Sequence, residues 1–372
     1  LDPGLKWSDV VSIETKVGKN LTNSSYESYK SMEKGAYDWN NGRYVSFDSG
    51  GWYSAHPKVI KYYLDPRNFL NDDGILQFLD HRFTTGSNTS SMLDKVVKGT
   101  FLEGDFPEKK YSTYKDAIFD ICKGIGINPN VIASMIIQEQ GTSGKSSLIS
   151  GTYSGYEGYY NYLNIGAYRT ATMSAVQRGL WYAKQQGWNT RVKSINGGAT
   201  YYFNNYVNKN QNTLYLKKFN VANGASNLGS HQYMGAVQGA ADEALILKKA
   251  FAGIFDTSKT FVIPVYSGMP SGTCTLPKTT GNNNNYLKSL SVTNGDTKYK
   301  LNTTFDRYTK NYTITVPSSV KKVTVNAAKS GSGATVSGSG SVTLSSGTNT
   351  LKIKVRSTSG LTRTYKITVK RN

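Results

Sequence analysis

Between Asp120 and Asp242 only two carboxylates occur, Glu139 and Glu157. Glu139 ends the apolar run Val131-Ile-Ala-Ser-Met-Ile-Ile-Gln-Glu-Gln140. Partial burial there would disfavour the charged form and raise its pKa, which suits a general acid. Glu157 falls in a Gly/Tyr-rich stretch, residues 141–162, where better solvation keeps a carboxylate ionised and able to activate water or stabilise a positive centre. Two carboxylates in differing environments meet the requirement for glycosidic bond cleavage, one protonating the leaving oxygen and the other serving the oxocarbenium-like transition state. Both residues also fit plainer roles, Glu139 as a structural cap or ion pair and Glu157 as a surface charge. Aromatics crowd the same region, among them Tyr160, Tyr168, Trp181, Trp188, Tyr201 and Tyr233. Tyr and Trp offer an apolar face to a sugar ring and a polar handle to its hydroxyls, although packing of a helical core is the better explanation for any single one of them.

Other chemistries lack their residues. There is no Gly-x-Ser-x-Gly elbow and no Walker loop, and neither Cys122 nor Cys274 has a His nearby in sequence. His56, His81 and His231 are scattered, so no metal site and no cofactor are expected. Cys122, inside an apolar-periodic segment, is expected to be a free buried thiol rather than half of a disulfide.

Apolar spacings of three and four predict helices over 114–125, 129–140, 170–186, 192–207 and 232–251, the second opening with the start signal Asn128-Pro129. Residues 269–285, rich in Gly, Pro, Thr and Asn, read as a linker. Beyond it, β-branched runs at 287–292, 312–316, 322–325, 342–344, 350–355 and 363–369 predict a sandwich over 286–372. The expected divisions are therefore an N-terminal lobe packed on the core at 1–109, a helical core at 110–268, the linker and the sandwich. No apolar run is long enough to span a membrane. The 372 residues carry 44 Lys/Arg against 24 Asp/Glu, and residues from Tyr286 onward alone hold 15 Lys/Arg against two Asp. So basic a field attracts a polyanion or simply keeps a surface soluble. Nucleic acid is disfavoured because the aromatics and the excess positive charge lie in different parts of the chain, whereas a single-strand binder interleaves them.

Specific segments carry a resemblance. Ala133-Ser-Met-Ile-Ile-Gln-Glu-Gln-Gly141, Tyr160-Asn-Tyr-Leu-Asn-Ile-Gly-Ala167, Gly198-Ala-Thr-Tyr201, Asn212-Thr-Leu-Tyr-Leu-Lys-Lys-Phe-Asn220 and His231-Gln-Tyr233 are similar to motifs of the bacterial endo-β-N-acetylglucosaminidases of glycoside hydrolase family 73, which are peptidoglycan-cleaving autolysins. The resemblance spans about residues 45–255. It implies a lysozyme-like, mainly helical catalytic domain, which with the small all-β sandwich predicted beyond the linker makes the expected fold class α+β. It also implies that Glu139 is the proton donor, that Tyr201 lies across the cleft and positions substrate or water, and that Asn164 and Tyr168 line the sugar groove, with Tyr160 and Tyr233 as further substrate contacts. Glu157 is the candidate second carboxylate, a role the substrate's own N-acetyl group could also fill. The strand-forming segments from Leu287 to Val369 resemble cadherin-like sandwich modules of bacterial surface proteins. A secreted, wall-associated monomer acting on peptidoglycan glycan strands follows as the expectation, with the basic sandwich holding anionic wall polymer or acting as a spacer. The rival readings are a non-catalytic wall-binding or adhesion protein and, on the same scaffold, a lytic transglycosylase or muramidase.

Overall fold

The computed structural model describes residues 1–372. Its α-helices are α1 (Trp7–Glu14), α2 (Pro57–Leu64), α3 (Ser90–Val97), α4 (Tyr114–Ile125), α5 (Pro129–Gln140), α6 (Ser147–Ser150), α7 (Ala175–Gln185), α8 (Arg191–Asn205), α9 (Leu214–Phe219) and α10 (Gly239–Ala250). None is long and apolar enough to cross a membrane. The chain forms two compact units, each discontinuous in sequence: Leu1–Ile13 with Tyr63–Thr273, and Glu14–Tyr62 with Cys274–Asn372.

In the first unit α5 is the central helix. Asn128 caps it by accepting from the Asn130 N–H, Pro129 starts it, and Val131, Ile132, Ala133 and Ile136 are all buried. A helix apolar on most sides must be enclosed, and α3, α4 and α10 pack around it. α4 starts at the Thr113 cap and stops at Gly126, whose left-handed conformation lets its N–H bond the Cys122 carbonyl. Cys122 is a free thiol, fully buried in this core, and burial pushes its pKa up. Gly198, in the middle of α8, permits close approach to the preceding loop, since a Cβ there would stand 2.7 Å from Leu163 Cδ1. The helices expected at 170–186 and 232–251 begin later, at Ala175 and Gly239. In the first case Thr170–Ser174 is spent on a turn and a capping box formed by Ser174 and Gln177.

The second unit contains the sandwich and residues 14–62. Its strands are β1 (Leu21–Thr22), β2 (Tyr37–Asp38), β3 (Arg43–Tyr44), β4 (Ser46–Asp48), β5 (Trp52–Ser54), β6 (Leu287–Asn294), β7 (Thr297–Tyr299), β8 (Asn311–Val316), β9 (Lys322–Lys329), β10 (Thr335–Ser337), β11 (Gly340–Thr343), β12 (Gly347–Arg356) and β13 (Thr362–Arg371). The sandwich sheets run β10-β12-β13-β8 and β11-β9-β6-β7, with β8 and β13 parallel and the remaining neighbours antiparallel. Period-2 alternation puts Leu351, Ile353, Val355, Tyr365, Ile367 and Val369 inside and the intervening Lys and Thr outside. The two sandwich strands not foreseen, β7 and β10, are only three residues long, and β1 to β5, at two or three residues each, were not foreseen either.

These units divide the chain differently from the boundaries expected at 109/110 and 285/286. Residues 63–109 fold with the helical core, and residues 14–62 fold with the sandwich. The stretch read as a linker is partly built in: Asn283 is buried and donates to the carbonyls of Ser28 and Lys30, both at 2.8 Å. Arg363 ion-pairs with Glu33 at 2.6 Å and stacks on Tyr286. Asn and Gly favour turns, but an Asn amide can equally satisfy backbone carbonyls of a distant segment, and local composition carries no sign of that.

Candidate active site

Glu139 sits in the last turn of α5, where the buried helix emerges. Burial raises its carboxyl pKa above the ordinary range, the Glu243 charge raises it further, and the Asn164 amide and Lys217 oppose the rise. The negative end of the helix dipole also disfavours a carboxylate at this position. The next residue sets the partner. Buried Gln140 Nε2 donates to the carbonyl of Tyr162 at 2.9 Å and to Asn164 Oδ1 at 2.7 Å. With its oxygen engaged, Asn164 turns Nδ2 toward Glu139 Oε2 at 2.5 Å. Asn164 adopts φ +52°, a left-handed conformation that Asn tolerates better than most residues. Asn161, fully buried, fixes the loop by donating to the carbonyls of Ile165 and Gly179, both at 2.9 Å, and accepting from the Ile165 N–H.

Glu139 borders a cavity of about 70 Å³ together with Glu243 of α10, Lys217 of α9, Tyr233, His81, Met135 and Leu247. Lys217 Nζ ion-pairs with Glu243 at 2.9 Å, its side chain only 5% exposed, and lies 3.9 Å from the Tyr233 ring centroid. Tyr233 is pushed up to about 12, by burial first and then by Glu243 and Glu139, so it stays a neutral hydroxyl at physiological pH. At the inner end, His81 Nδ1 meets Tyr202 Oη at 2.8 Å, and burial with the nearby Lys217 lowers its pKa to about 3, leaving a neutral ring.

The structure brings Glu139, Asn164 and Tyr233 together. Tyr201, exposed on α8, is near enough to raise the pKa of Tyr182 and Tyr206, and Tyr206 makes an edge contact with Tyr233. Tyr168 is also exposed, its hydroxyl bonded by Arg178. Tyr160 is engaged by Arg191, which stacks on its ring and donates to its hydroxyl at 3.1 Å. Glu157 is fully solvated and does not border the Glu139 cavity. Its carboxylate accepts from the Gly155 N–H, and backbone hydrogen bonds lower its pKa.

Sequence reasoning missed Gln140, Lys217 and Glu243. Gln140 directly follows the catalytic candidate. Lys217 is half of a Lys-Lys pair that resembles a solvated face, and Glu243 lies one residue beyond the acid-poor stretch, so only three-dimensional proximity connects it to Glu139.

Comparison with known proteins agrees with these motifs. Residues 287–372 match the Cadherin-like family, a cadherin-like beta sandwich domain. Over 226 residues the chain is 31% identical to a bifunctional autolysin of Staphylococcus epidermidis, a match covering 58% of this chain and 16% of that protein. The chain therefore corresponds to a small part of the relative. Among solved structures, it is similar to the crystal structure of the major bifunctional autolysin (25% identity, TM-score 0.48, 71% of this chain and 96% of that one). It is also similar to glucosaminidase B of S. aureus (23% identity, TM-score 0.49, 72% and 92%). The autolysin resemblance read from the motifs is borne out by the bifunctional autolysin relative, and the arrangement of a mainly helical part followed by a β-sandwich by the structure and the cadherin-like match.

Proposed function

We propose that this protein is a glycoside hydrolase cleaving the glycan strands of bacterial peptidoglycan at the β-1,4 bond after N-acetylglucosamine, with Glu139 as general acid. The observation that carries this reading is a carboxyl of raised pKa at the solvent-accessible end of α5, held by an oriented Asn164 amide and bordering a cavity with the Lys217–Glu243 pair. A carboxyl kept protonated can give its proton to the glycosidic oxygen as the bond breaks. The Asn164 N–H then stabilises the carboxylate left behind. Glu243 and Lys217 hold opposite charges beside the acid and set its proton affinity. Tyr233 and Tyr201 supply ring surface and hydroxyls to the sugar, with Tyr168 and Tyr160 further along the groove. Glu157, solvated and outside the cavity, takes no proton in this reading. The protein works as a secreted, wall-associated monomer whose basic sandwich holds anionic wall polymer.

The test is clearing of purified peptidoglycan by the wild type and by Glu139→Gln, both checked for folding by circular dichroism. The variant is expected to lose about 100-fold or more, and wild-type fragments to end in reducing N-acetylglucosamine by mass spectrometry. Equal clearing would make Glu139 structural, anhydro-sugar ends would make the protein a lytic transglycosylase, and binding without clearing would make it a wall adhesin.

A further inference from the structure

A large cleft lies away from Glu139, wholly within the second unit. It has a volume of about 800 Å³ and is bounded by Tyr37, Tyr44 and Tyr53, by Glu27, Asp38 and Arg43, and by Asn282 and Asn284. The β2–β3 hairpin and β5 supply the rings. Tyr37 and Tyr44 pair edge to face at 5.1 Å, and Tyr44 and Tyr53 lie 5.9 Å apart. Lys30 Nζ stands over both Tyr44 and Tyr53, at 5.3 and 4.7 Å from their centroids, and so steadies the two rings with one cation. Asp38 is itself fixed, accepting from the backbone and side chain of Asn41. The paired amides are ordered too, since Asn282 Oδ1 accepts from the Asn284 N–H at 3.0 Å.

We infer that this cleft is a second, non-catalytic binding site for a neutral glycan segment. Two carboxylates against one guanidinium give a lining with no net positive charge, which argues against a polyanion. Planar rings beside amides, carboxylates and an arginine suit a ligand with apolar C–H faces and a dense array of hydroxyls and acetamido groups, which is the chemistry of an amino-sugar chain. The cleft is open to solvent, so it takes an internal stretch of a polymer rather than enclosing a small molecule. The identity of the natural polymer as peptidoglycan rests on the function proposed above, whereas the sugar chemistry rests on the cleft alone.

The experiment uses the full chain carrying Glu139→Gln, so that sugar is not turned over. A β-1,4-linked N-acetylglucosamine tetramer is titrated by calorimetry, and retention on sacculi stripped of anionic polymer is measured in parallel. Tyr37→Ala/Tyr53→Ala is expected to remove one tetramer per chain and weaken sacculus retention about tenfold or more. Glu27→Gln/Arg43→Ala, both at exposed positions, is expected to weaken retention several-fold and decides the matter if the tyrosine pair disturbs the melting temperature. With Glu139 restored, cleavage of a short soluble glycan should stay within twofold of wild type. Unchanged stoichiometry and retention in a folded variant overturn the proposal, as does retention that follows anionic polymer rather than sugar. If the wild type cleaves nothing yet the tyrosine pair still abolishes tetramer binding, the hydrolase reading fails and this site stands.

Discussion

The end of α5 and the 141–162 loop each present one isolated carboxylate, and the two environments drive them in opposite directions. Glu139 leaves a buried helix, loses water and feels a second carboxylate, so its proton is held more tightly. Glu157 sits in a turn, takes a backbone N–H and remains fully hydrated, so its proton is released more readily. Residue type and scarcity singled out both, with Glu139 ahead because it ends an apolar helix, and the difference comes from how many neighbours replace water. An acid becomes useful when folding makes ionisation costly without removing access to the substrate.

The widest gap between the two should appear on substitution. Glu139→Gln is expected to reduce clearing about 100-fold or more, whereas Glu157→Gln should stay within about threefold of wild type, both read as initial rates on purified sacculi. A large loss in a folded Glu157→Gln would erase the contrast. Next in size, Lys217→Met leaves the partly buried Glu243 without its cation and should destabilise the fold by about 2 kcal/mol in a denaturant titration. Adding Glu243→Gln to it should restore much of that. Asn164→Ala removes a hydrogen bond to the carboxyl and should lower kcat about tenfold, in line with about 1.5–3 kcal/mol for a bond to a charged group. Because that bond favours the ionised form, its loss should also raise the pKa of Glu139. The smallest effect is a displacement of the pH profile. If Glu139 is the general acid proposed above, activity falls as pH rises through its raised pKa, and the alkaline limb of kcat/KM should lie above the usual glutamate range. Glu243→Gln removes a charge that raises that pKa, so the limb should move to lower pH; movement to higher pH would show that Glu243 does not act on Glu139.

Much of the first unit was legible because its signals are local. The Asn128-Pro129 start and the apolar spacing gave α5 its observed bounds, and the same spacing gave α4. β-branched alternation likewise located six of the sandwich strands. Of the residues the structure gathers around the acid, Glu139, Asn164 and Tyr233 were read from their own segments, whereas Gln140, although adjacent to Glu139, was missed because nothing local shows that its amide orients Asn164. Lys217 and Glu243 meet through the packing of α9 on α10, and α9 itself has only six residues between its Thr213 cap and left-handed Asn220. So short a helix offers too few turns for a period to emerge. The company kept by residues 14–62 was hidden for the same reason, since the side-chain bonds from Asn283 span more than 250 positions of sequence.

That long-range pairing governs how the chain can be made and cut. Residues 14–62 leave the ribosome before the whole of 63–273, yet the strands they fold with, β6 to β13, come last. They must wait, with the Ser28 and Lys30 carbonyls that Asn283 satisfies still unpaired, until the strand-bearing segment has been made. Truncation after Thr273 would therefore not release a trimmed first unit with a clean end. It would strand an N-terminal segment without its counterpart, and a fragment starting at residue 286 would lack the same piece from the opposite side.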